Sequence, residues 1–188
     1  MTEITNFNFY KELHLSELKR KNDIDSLVGY PTTLITILIG SAFYFFKSEN
    51  FTYKSTDNSF LIFLLILIVC LFGTSIVVAI VFLIKMYLNT FKKYKYLPSP
   101  LTLKKREKEL YEHYEGFYLE TESKESYKKA IEYADNEFKK DLLNYYIDYG
   151  TNNQIVNDNR TKDYYSSRKC LTFAIFLLSL IGILILIK

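Results

Sequence analysis

Three long stretches of the chain carry no charged side chain, and they constrain the fold more than any other feature. Residues 26–46, 60–84 and 170–187 contain no Lys, Arg, Asp or Glu, although charged residues make up 24% of the 188-residue sequence. A helix needs about 20 apolar residues to cross roughly 30 Å of hydrocarbon. The pattern excludes a single water-soluble core and predicts an all-α integral membrane protein with three transmembrane helices.

The charge-free windows divide the chain into six predicted segments. In order, these are an N-terminal amphipathic helix at 1–26, a first span at 27–46, a short extracytoplasmic connector at 47–59, a second span at 60–84, a cytoplasmic helical domain at 85–169, and a third span at 170–187. The third window is at the short end of the range for a spanning helix. A re-entrant segment or a tail anchor is therefore the alternative for this last window.

The basic residues predict how the chain is oriented in a membrane. Four Lys or Arg residues precede the first span, whereas the connector at 47–59 carries two, and the 85–169 block carries 17 that concentrate near the second and third spans. Cytoplasmic segments next to spans are enriched in Lys and Arg. We therefore expect a multi-pass protein of the cytoplasmic (inner) membrane with the N-terminus and the 85–169 block in the cytoplasm and the C-terminus outside.

The 85–169 block is predicted to form a cytoplasmic helical hairpin. Ser99 followed by Pro100 is typical of a helix N-cap and first turn, and apolar residues then recur at helical spacing to about residue 119. A second apolar stripe, the strongest of the chain, runs from Tyr127 to Tyr149. Gly150 is expected to end this helix, with a turn at 150–153 before another helix continues into the third span.

One face of the first span is small and hydroxylated. Small residues recur at steps of four, and similar residues interrupt the second span; the candidates are Thr32, Thr36, Gly40, Ser41 and Gly73. Such residues either permit close helix packing or line a narrow aqueous path after oligomerisation, and the sequence leaves both interpretations open. Three helices enclose no lumen in a monomer, so transport would require a homo-oligomer.

A lysine cluster follows the second span. Lys92, Lys93 and Lys95 lie where the chain is expected to leave the membrane. Contact with the anionic headgroups of membrane lipids is the ordinary expectation for such a cluster. Recognition of a phosphate-bearing signal by the same lysines is the alternative.

Three polar residues precede the third span. Asn153, Asn157 and Arg160 are spaced by four and three residues and would share one side of the predicted helix. Polar side chains at the mouth of a membrane path would line a vestibule or bind a ligand. Helix capping and subunit contact are the alternative roles for these residue types.

The sequence offers no constellation for enzymatic chemistry, so we expect neither catalysis nor a cofactor or metal site. The two histidines, His14 and His113, lie on separate segments without neighbouring ligands, and both are expected at the surface. The glycines form no phosphate-binding loop, and Cys70 and Cys170 fall in apolar windows where a disulfide is not expected. The spans lack the ionisable residues of carriers and intramembrane proteases. Mixed charge in the 85–169 block argues against direct DNA readout.

The arrangement of the chain resembles small membrane effectors of bacterial anti-phage defence, the SLATT-like and related channel-forming proteins. The resemblance rests on the stretch RKNDIDSLVGYPTTL at the start of the first span and on the Lys-rich segment at 92–106, and it covers roughly residues 10–150 as an architecture. It implies a homo-oligomeric pore, or a membrane-disrupting effector, that its cytoplasmic helical domain gates. A cytosolic partner protein, or a nucleotide or nucleic-acid signal, would open it and arrest growth by ion leakage.

A membrane scaffold that conducts nothing is the alternative function. Most of the 17 tyrosines fall within residues 85–169. Amphipathic aromatic side chains favour protein interfaces. The tyrosine-rich hairpin would then anchor a cytosolic partner at the membrane.

Overall fold

In a computed structural model the described residues are 3–47, 59–118 and 124–187, and they are almost entirely helical. Five helices follow in chain order: α1 (Glu3–Ser26), α2 (Gly29–Lys47), α3 (Ser59–Lys93), α4 (Pro100–Tyr118) and α5 (Lys124–Ile187). No strand occurs in the three described ranges, which confirms the predicted all-α fold. Most of the predicted connector, 48–58, lies outside these ranges.

Three helical stretches are long and apolar enough to cross a membrane. They are Phe7–Phe45, Ser59–Asn89 and Tyr127–Ile185, and each contains one of the charge-free windows of the sequence. The first stretch includes most of the polar helix α1. The charge-free window at 26–46, by contrast, covers α2 except for its last residue, Lys47. The number of candidate spans agrees with the sequence prediction.

Two short breaks separate helices where the sequence predicts boundaries. The first, at Leu27 and Val28, lies between α1 and α2, and Pro31 then occupies the first turn of α2, where a proline is tolerated. The second break, at 94–99, ends on Ser99. The Ser99 hydroxyl accepts a hydrogen bond from the backbone N–H of Thr102 at 3.2 Å, which confirms the predicted N-cap of α4.

Residues Lys21–Lys92 and Asn157–Lys188 form one compact unit, which we call the apolar bundle. Its core joins three helices: Ile35, Leu38 and Ala42 from α2; Leu65, Ile68, Phe72, Ile76 and Ala79 from α3; and Leu171, Ala174, Leu177 and Ile181 from α5. The Ser75 hydroxyl donates to the Cys170 carbonyl at 2.7 Å. The Ser167 hydroxyl donates to the Ala79 carbonyl at 3.1 Å. These bonds hold α3 and α5 antiparallel and close together, as small polar residues do in membrane helix pairs.

Residues Met1–Arg20 and Lys93–Val156 form the second unit, which we call the polar unit. Here α4 contacts the first part of α5 through Arg106 and Asp141, whose Nε and Oδ2 atoms are 2.9 Å apart, and through the hydroxyl of Tyr111, which donates to Asp135. The earlier residue of α4, Arg106, contacts the later residue of α5, Asp141, while Tyr111 contacts Asp135. The two helices are therefore antiparallel. Residues 119–123, which connect the two helices in the predicted cytoplasmic hairpin, lie outside the described ranges.

The prediction that Gly150 ends a helix is wrong, because α5 continues unbroken through Gly150 to Ile187. No described glycine has a positive φ, so Gly150 has the backbone of an ordinary helical residue. Its bare face lies against α1, where an added Cβ would be 3.6 Å from Cα of His14. A glycine that permits close helix packing gives the same sequence signal as a C-terminal cap. The predicted turn at 150–153 is absent for the same reason.

Replacing Gly150 with alanine is expected to stabilise the protein by about 0.5 to 1 kcal/mol, since glycine inside a helix costs roughly that much relative to alanine. The new methyl group would meet His14 at ordinary van der Waals distance. Thermal unfolding of the purified chain in detergent measures the effect. A lower unfolding temperature for Gly150→Ala would show that α1 and α5 cannot accommodate a methyl group between them.

Candidate functional site

The small face of α2 points away from the core of the apolar bundle. Thr32, Thr36 and Gly40 are exposed, whereas Ile35 and Leu38 on the opposite side are buried. The Thr32 and Thr36 hydroxyls donate to the backbone carbonyls four residues earlier, at 2.9 and 3.1 Å. Because these hydroxyls are already satisfied within the helix, the face can meet lipid, another helix or water.

The remaining two candidates of this group lie in different places. Ser41 is half-buried and lies beside an open groove of about 610 Å³ between α2 and α5, which is lined by Ile37, Gly40, Ser41, Tyr44, Phe45, Leu178, Ser179 and Gly182. Gly73 is exposed on α3, with no described atom within 4 Å of the position of a Cβ. Gly73 does not line the Ser41 groove, so a single chain does not gather all five candidates.

The lysine cluster is described only at its last member. Lys92 and Lys93 are the final residues of α3, and their side chains lie outside the described part of the chain. Lys95 is exposed, with its ammonium group 5.6 Å from the ring centre of Tyr149. The Asn153 amide accepts from the Lys95 N–H and donates to the Lys95 carbonyl, both at 2.9 Å. Asn153 thereby fixes the segment between α3 and α4 onto α5.

Asn153, Asn157 and Arg160 do not line an open vestibule in this chain, because all three side chains are fully buried. Asn153 belongs to the polar unit, while Asn157 and Arg160 belong to the apolar bundle. Buried polar side chains need hydrogen-bond partners within the protein. The vestibule interpretation is therefore corrected: these residues serve internal contacts between segments.

Arg160 lies before the third charge-free window and contacts residues at the edges of the other two. Its Nε donates to the Met86 carbonyl at 3.2 Å, and its terminal nitrogen forms an ion pair with Asp25. Asp25 lies immediately before the first window, Met86 two residues after the second, and Arg160 ten residues before the third. The buried side chains of Ile24, Met86 and Tyr164 form an apolar cluster in the same region.

The ion pair of Arg160 is the strongest polar feature of the apolar bundle. Arg160 is fully buried, whereas the Asp25 side chain is 40% exposed and is also 3.4 Å from the Lys21 ammonium. A buried charge is tolerated only when it is paired and hydrogen-bonded. The contacts of Arg160 form a structural lock that connects α1, α3 and α5.

His14 is buried, so the prediction that it lies at the surface is wrong. It is 1% exposed, and its Nδ1 has no hydrogen-bond partner among the described residues. The ring centre of Tyr146 is 5.8 Å from that of His14. Burial lowers the pKa of His14 below its ordinary value of 6.5, because the charged form would lose hydration. His113 is exposed on α4, as expected.

The protein is expected to lose stability as the pH falls below about 6.5, because the unfolded chain then protonates His14 while the folded chain resists it. This loss ends once the pH passes the lowered pKa of His14 in the folded state. His14→Leu should unfold with a weaker pH dependence between pH 7.5 and 5.5. His113→Gln is the matched control and should retain the dependence of the original chain. Equal pH dependence for all three proteins would contradict the role of His14.

Polar and aromatic contacts of the described residues attach α4 to α5, and the stacked rings of Tyr114 and Tyr133 have centres 6.0 Å apart. The hydrogen bond to Asp135 raises the pKa of Tyr111 to about 12, so Tyr111 remains a neutral donor at neutral pH. The Arg106 pair with Asp141 is half-exposed, and such pairs contribute at most about 1 kcal/mol. Leu110 is the only described side chain of α4 that is fully buried. An element with few buried apolar contacts opens at low free-energy cost.

The described residues contain no group of three or more His, Cys, Asp or Glu side chains that could hold a metal ion. Cys70 is exposed and Cys170 is half-buried, and both are unpaired thiols. Comparison of the chain with family models, curated proteins and solved structures found no match.

Proposed function

We propose that this chain is a multi-pass membrane protein that assembles into a homo-oligomeric pore, which its cytoplasmic helical region keeps closed. Three apolar helices support the membrane part of the proposal. Buried side chains fill the space between α2, α3 and α5, so a path for ions would lie between copies. The exposed row of Thr32, Thr36 and Gly40 supplies small and hydroxylated residues for such a path.

The observation that carries the gating proposal is the continuity of α5. This helix runs for 64 residues from Lys124 to Ile187. Its first part contacts α4 and α1, and its last part packs against α2 and α3 in the apolar bundle. Coupling between distant sites can be carried by a secondary-structure element that both share, and α5 contributes residues to both units. Separation of α4 from α5 would therefore act on a helix that also packs against the proposed pore lining.

Opening is a shift between two arrangements that exist before any signal arrives. A partner or ligand opens the pore by binding the polar unit more tightly in the open arrangement than in the closed one. The partly exposed ion pair between α4 and α5 supports a small free-energy difference between the two arrangements. In a bacterium the open pore would dissipate the membrane potential and arrest growth, the role that the resemblance to anti-phage effectors implies.

Reconstituted vesicles test the pore directly. The purified full chain and a version that lacks residues 99–150 are each inserted into lipid vesicles. Ion flux is measured with a trapped potassium-sensitive dye, and the number of copies is measured by chemical crosslinking. We expect little flux with the full chain. With the shortened version we expect flux that rises more steeply than in proportion to the protein content, because several copies form each path. Inserted, monomeric protein without flux would contradict the proposal.

A scaffold is the second candidate function, and exposed aromatic residues of the polar unit favour it. Tyr127 and Tyr133 on α5 are 58% and 50% exposed, and Leu101 on α4 is 78% exposed. Exposed aromatic and apolar side chains are suited to a protein interface. A scaffold would show no flux in the vesicle assay, and Tyr127→Ser would release its cytosolic partner. A pore would conduct in the version that lacks residues 99–150, from which Tyr127 is absent.

A further inference from the structure

One face of α5 combines basic, aromatic and hydroxyl side chains at the start of the third charge-free window. It surrounds a shallow depression of about 530 Å³, and its residues are Tyr165, Arg168, Lys169, Thr172, Phe173 and Phe176. Their spacing of three and four residues places them along one side of the helix. We call this surface the cationic–aromatic face.

The cationic–aromatic face points away from the core of the apolar bundle. Tyr164, Ser167, Leu171 and Ala174 on the other side of α5 are buried. Phe173 and Phe176, by contrast, are 47% and 56% exposed. In a membrane protein, large apolar side chains on the outer side of a helix bundle are covered by lipid or by another copy of the chain.

Two cations lie side by side at one end of this face. Arg168 and Lys169 are both exposed, and no described carboxylate pairs with either of them. The Arg168 guanidinium lies 5.7 Å from the ring centre of Tyr164, which helps to fix its position. Within the described chain this pair of positive charges has no anionic partner, so an anionic ligand would complement it.

The order of residue types along α5 matches the order of groups in a phospholipid. The last charged residue before residue 188 is Lys169, and the charge-free window begins at the next position. Thr172 follows one turn later, and Phe173 and Phe176 lie up to about 10 Å beyond Lys169 at 1.5 Å per residue. A phosphate, a glycerol ester and an acyl chain would meet these residues in that sequence.

We propose that the cationic–aromatic face binds an anionic phospholipid, with the phosphate between Arg168 and Lys169 and an acyl chain across Phe173 and Phe176. A soluble phosphate compound would satisfy the cations but leave the two phenylalanines uncovered. The inference rests on the membrane insertion in the proposed function and not on ion conduction. A chain that binds the lipid without conducting ions would refute only the pore.

Lipid retention by the purified full chain tests the site. The protein is reconstituted in bilayer nanodiscs of phosphatidylcholine with an equal share of phosphatidylglycerol, then released into the gas phase for native mass spectrometry, which counts the bound lipids. Each cation in contact with the bound phosphate contributes a factor of about five to lipid retention. We expect the double variant Arg168→Gln with Lys169→Gln to retain roughly 20-fold less phosphatidylglycerol than the original chain.

A matched pair of substitutions separates this site from general charge attraction. Lys85 follows the second charge-free window directly, and Lys162 lies on α5 outside the cationic–aromatic face; both are exposed. Lys85→Gln with Lys162→Gln removes the same amount of charge. It should lower lipid retention by less than about threefold. Arg168→Lys, which keeps the charge, should retain the lipid and shows that any loss does not result from misfolding.

Four results would overturn the proposal. These are equal losses in both double variants, equal retention of phosphatidylcholine and phosphatidylglycerol, full retention by Arg168→Gln with Lys169→Gln, and displacement of the lipid by millimolar glycerol 3-phosphate. The last result would identify a site for soluble phosphate compounds. Membrane insertion is checked separately by flotation with vesicles, so a failure to insert is distinguished from a failure to bind the lipid.

Discussion

Arg160→Ala is expected to lower the free energy of unfolding by about 2 to 4 kcal/mol, since it removes one partner of a largely buried ion pair and the packing of a long side chain. Arg160 is fully buried, and it also donates to the Met86 carbonyl, which would lose that partner. The 40% exposure of Asp25 moderates the loss, because water can hydrate the carboxylate that remains.

A double-mutant cycle separates the ion pair from the packing. Asp25→Asn leaves the buried guanidinium without its counter-charge, so it should also destabilise the protein. Arg160→Met with Asp25→Asn removes both charges, and we expect it to be less destabilising than the sum of Arg160→Met and Asp25→Asn measured singly. Additive losses would show that Arg160 acts through its packing and the Met86 carbonyl alone.

Lys162→Met is the matched control for these variants. Lys162 is exposed two positions after Arg160, and its replacement should change the free energy of unfolding by no more than about 0.5 kcal/mol. Chemical denaturation in detergent micelles, followed by circular dichroism, measures all of these variants. If Arg160→Ala unfolds at the same denaturant concentration as Lys162→Met, the structural lock does not exist.

Thr36→Leu is expected to reduce ion flux about tenfold or more without changing the number of assembled copies, which corresponds to about 1.4 kcal/mol at the barrier. Thr36 is exposed between Thr32 and Gly40 on the face proposed to line the path. Leucine removes the hydroxyl and adds apolar bulk, and both changes disfavour water in a narrow path. Thr36→Leu is introduced into the version that lacks residues 99–150, and flux in reconstituted vesicles and crosslinked subunit number measure the two effects.

Thr172→Leu makes the same exchange on a face that the account assigns to lipid. Thr172 is exposed on α5, and its hydroxyl donates to the Arg168 carbonyl at 3.0 Å, much as Thr36 bonds within α2. Its replacement should leave the flux within about twofold of that of the unsubstituted protein, which corresponds to about 0.4 kcal/mol at the barrier. Unchanged flux with Thr36→Leu would remove Thr36 from the path but leave a pore lined by another face, such as the one that carries Gly73.

Sequence reasoning succeeds here where the signal is local. The charge-free windows predict the candidate spans because the absence of charge over about 20 residues follows from the thickness of the hydrocarbon layer. The start of α4 is predicted because Ser99 and Pro100 act on the first turn that follows them.

The same reasoning fails where a residue acts through distant contacts. Asp25 and Arg160 are 135 positions apart, and no local pattern links them. The buried face of α1 carries His14 and Glu17, so apolar periodicity cannot identify it. Gly150 has the sequence signature of a helix end, but its function is close packing against α1. These contacts depend on how the helices pack.

The central claim is that copies of this chain form a pore that the polar helices keep closed. The most direct test is the membrane potential of bacteria that express the full chain or a version that lacks residues 99–150, with membrane insertion of both confirmed. The account predicts little depolarisation by the full chain and strong depolarisation by the shortened one. An unchanged membrane potential with both inserted proteins would contradict it.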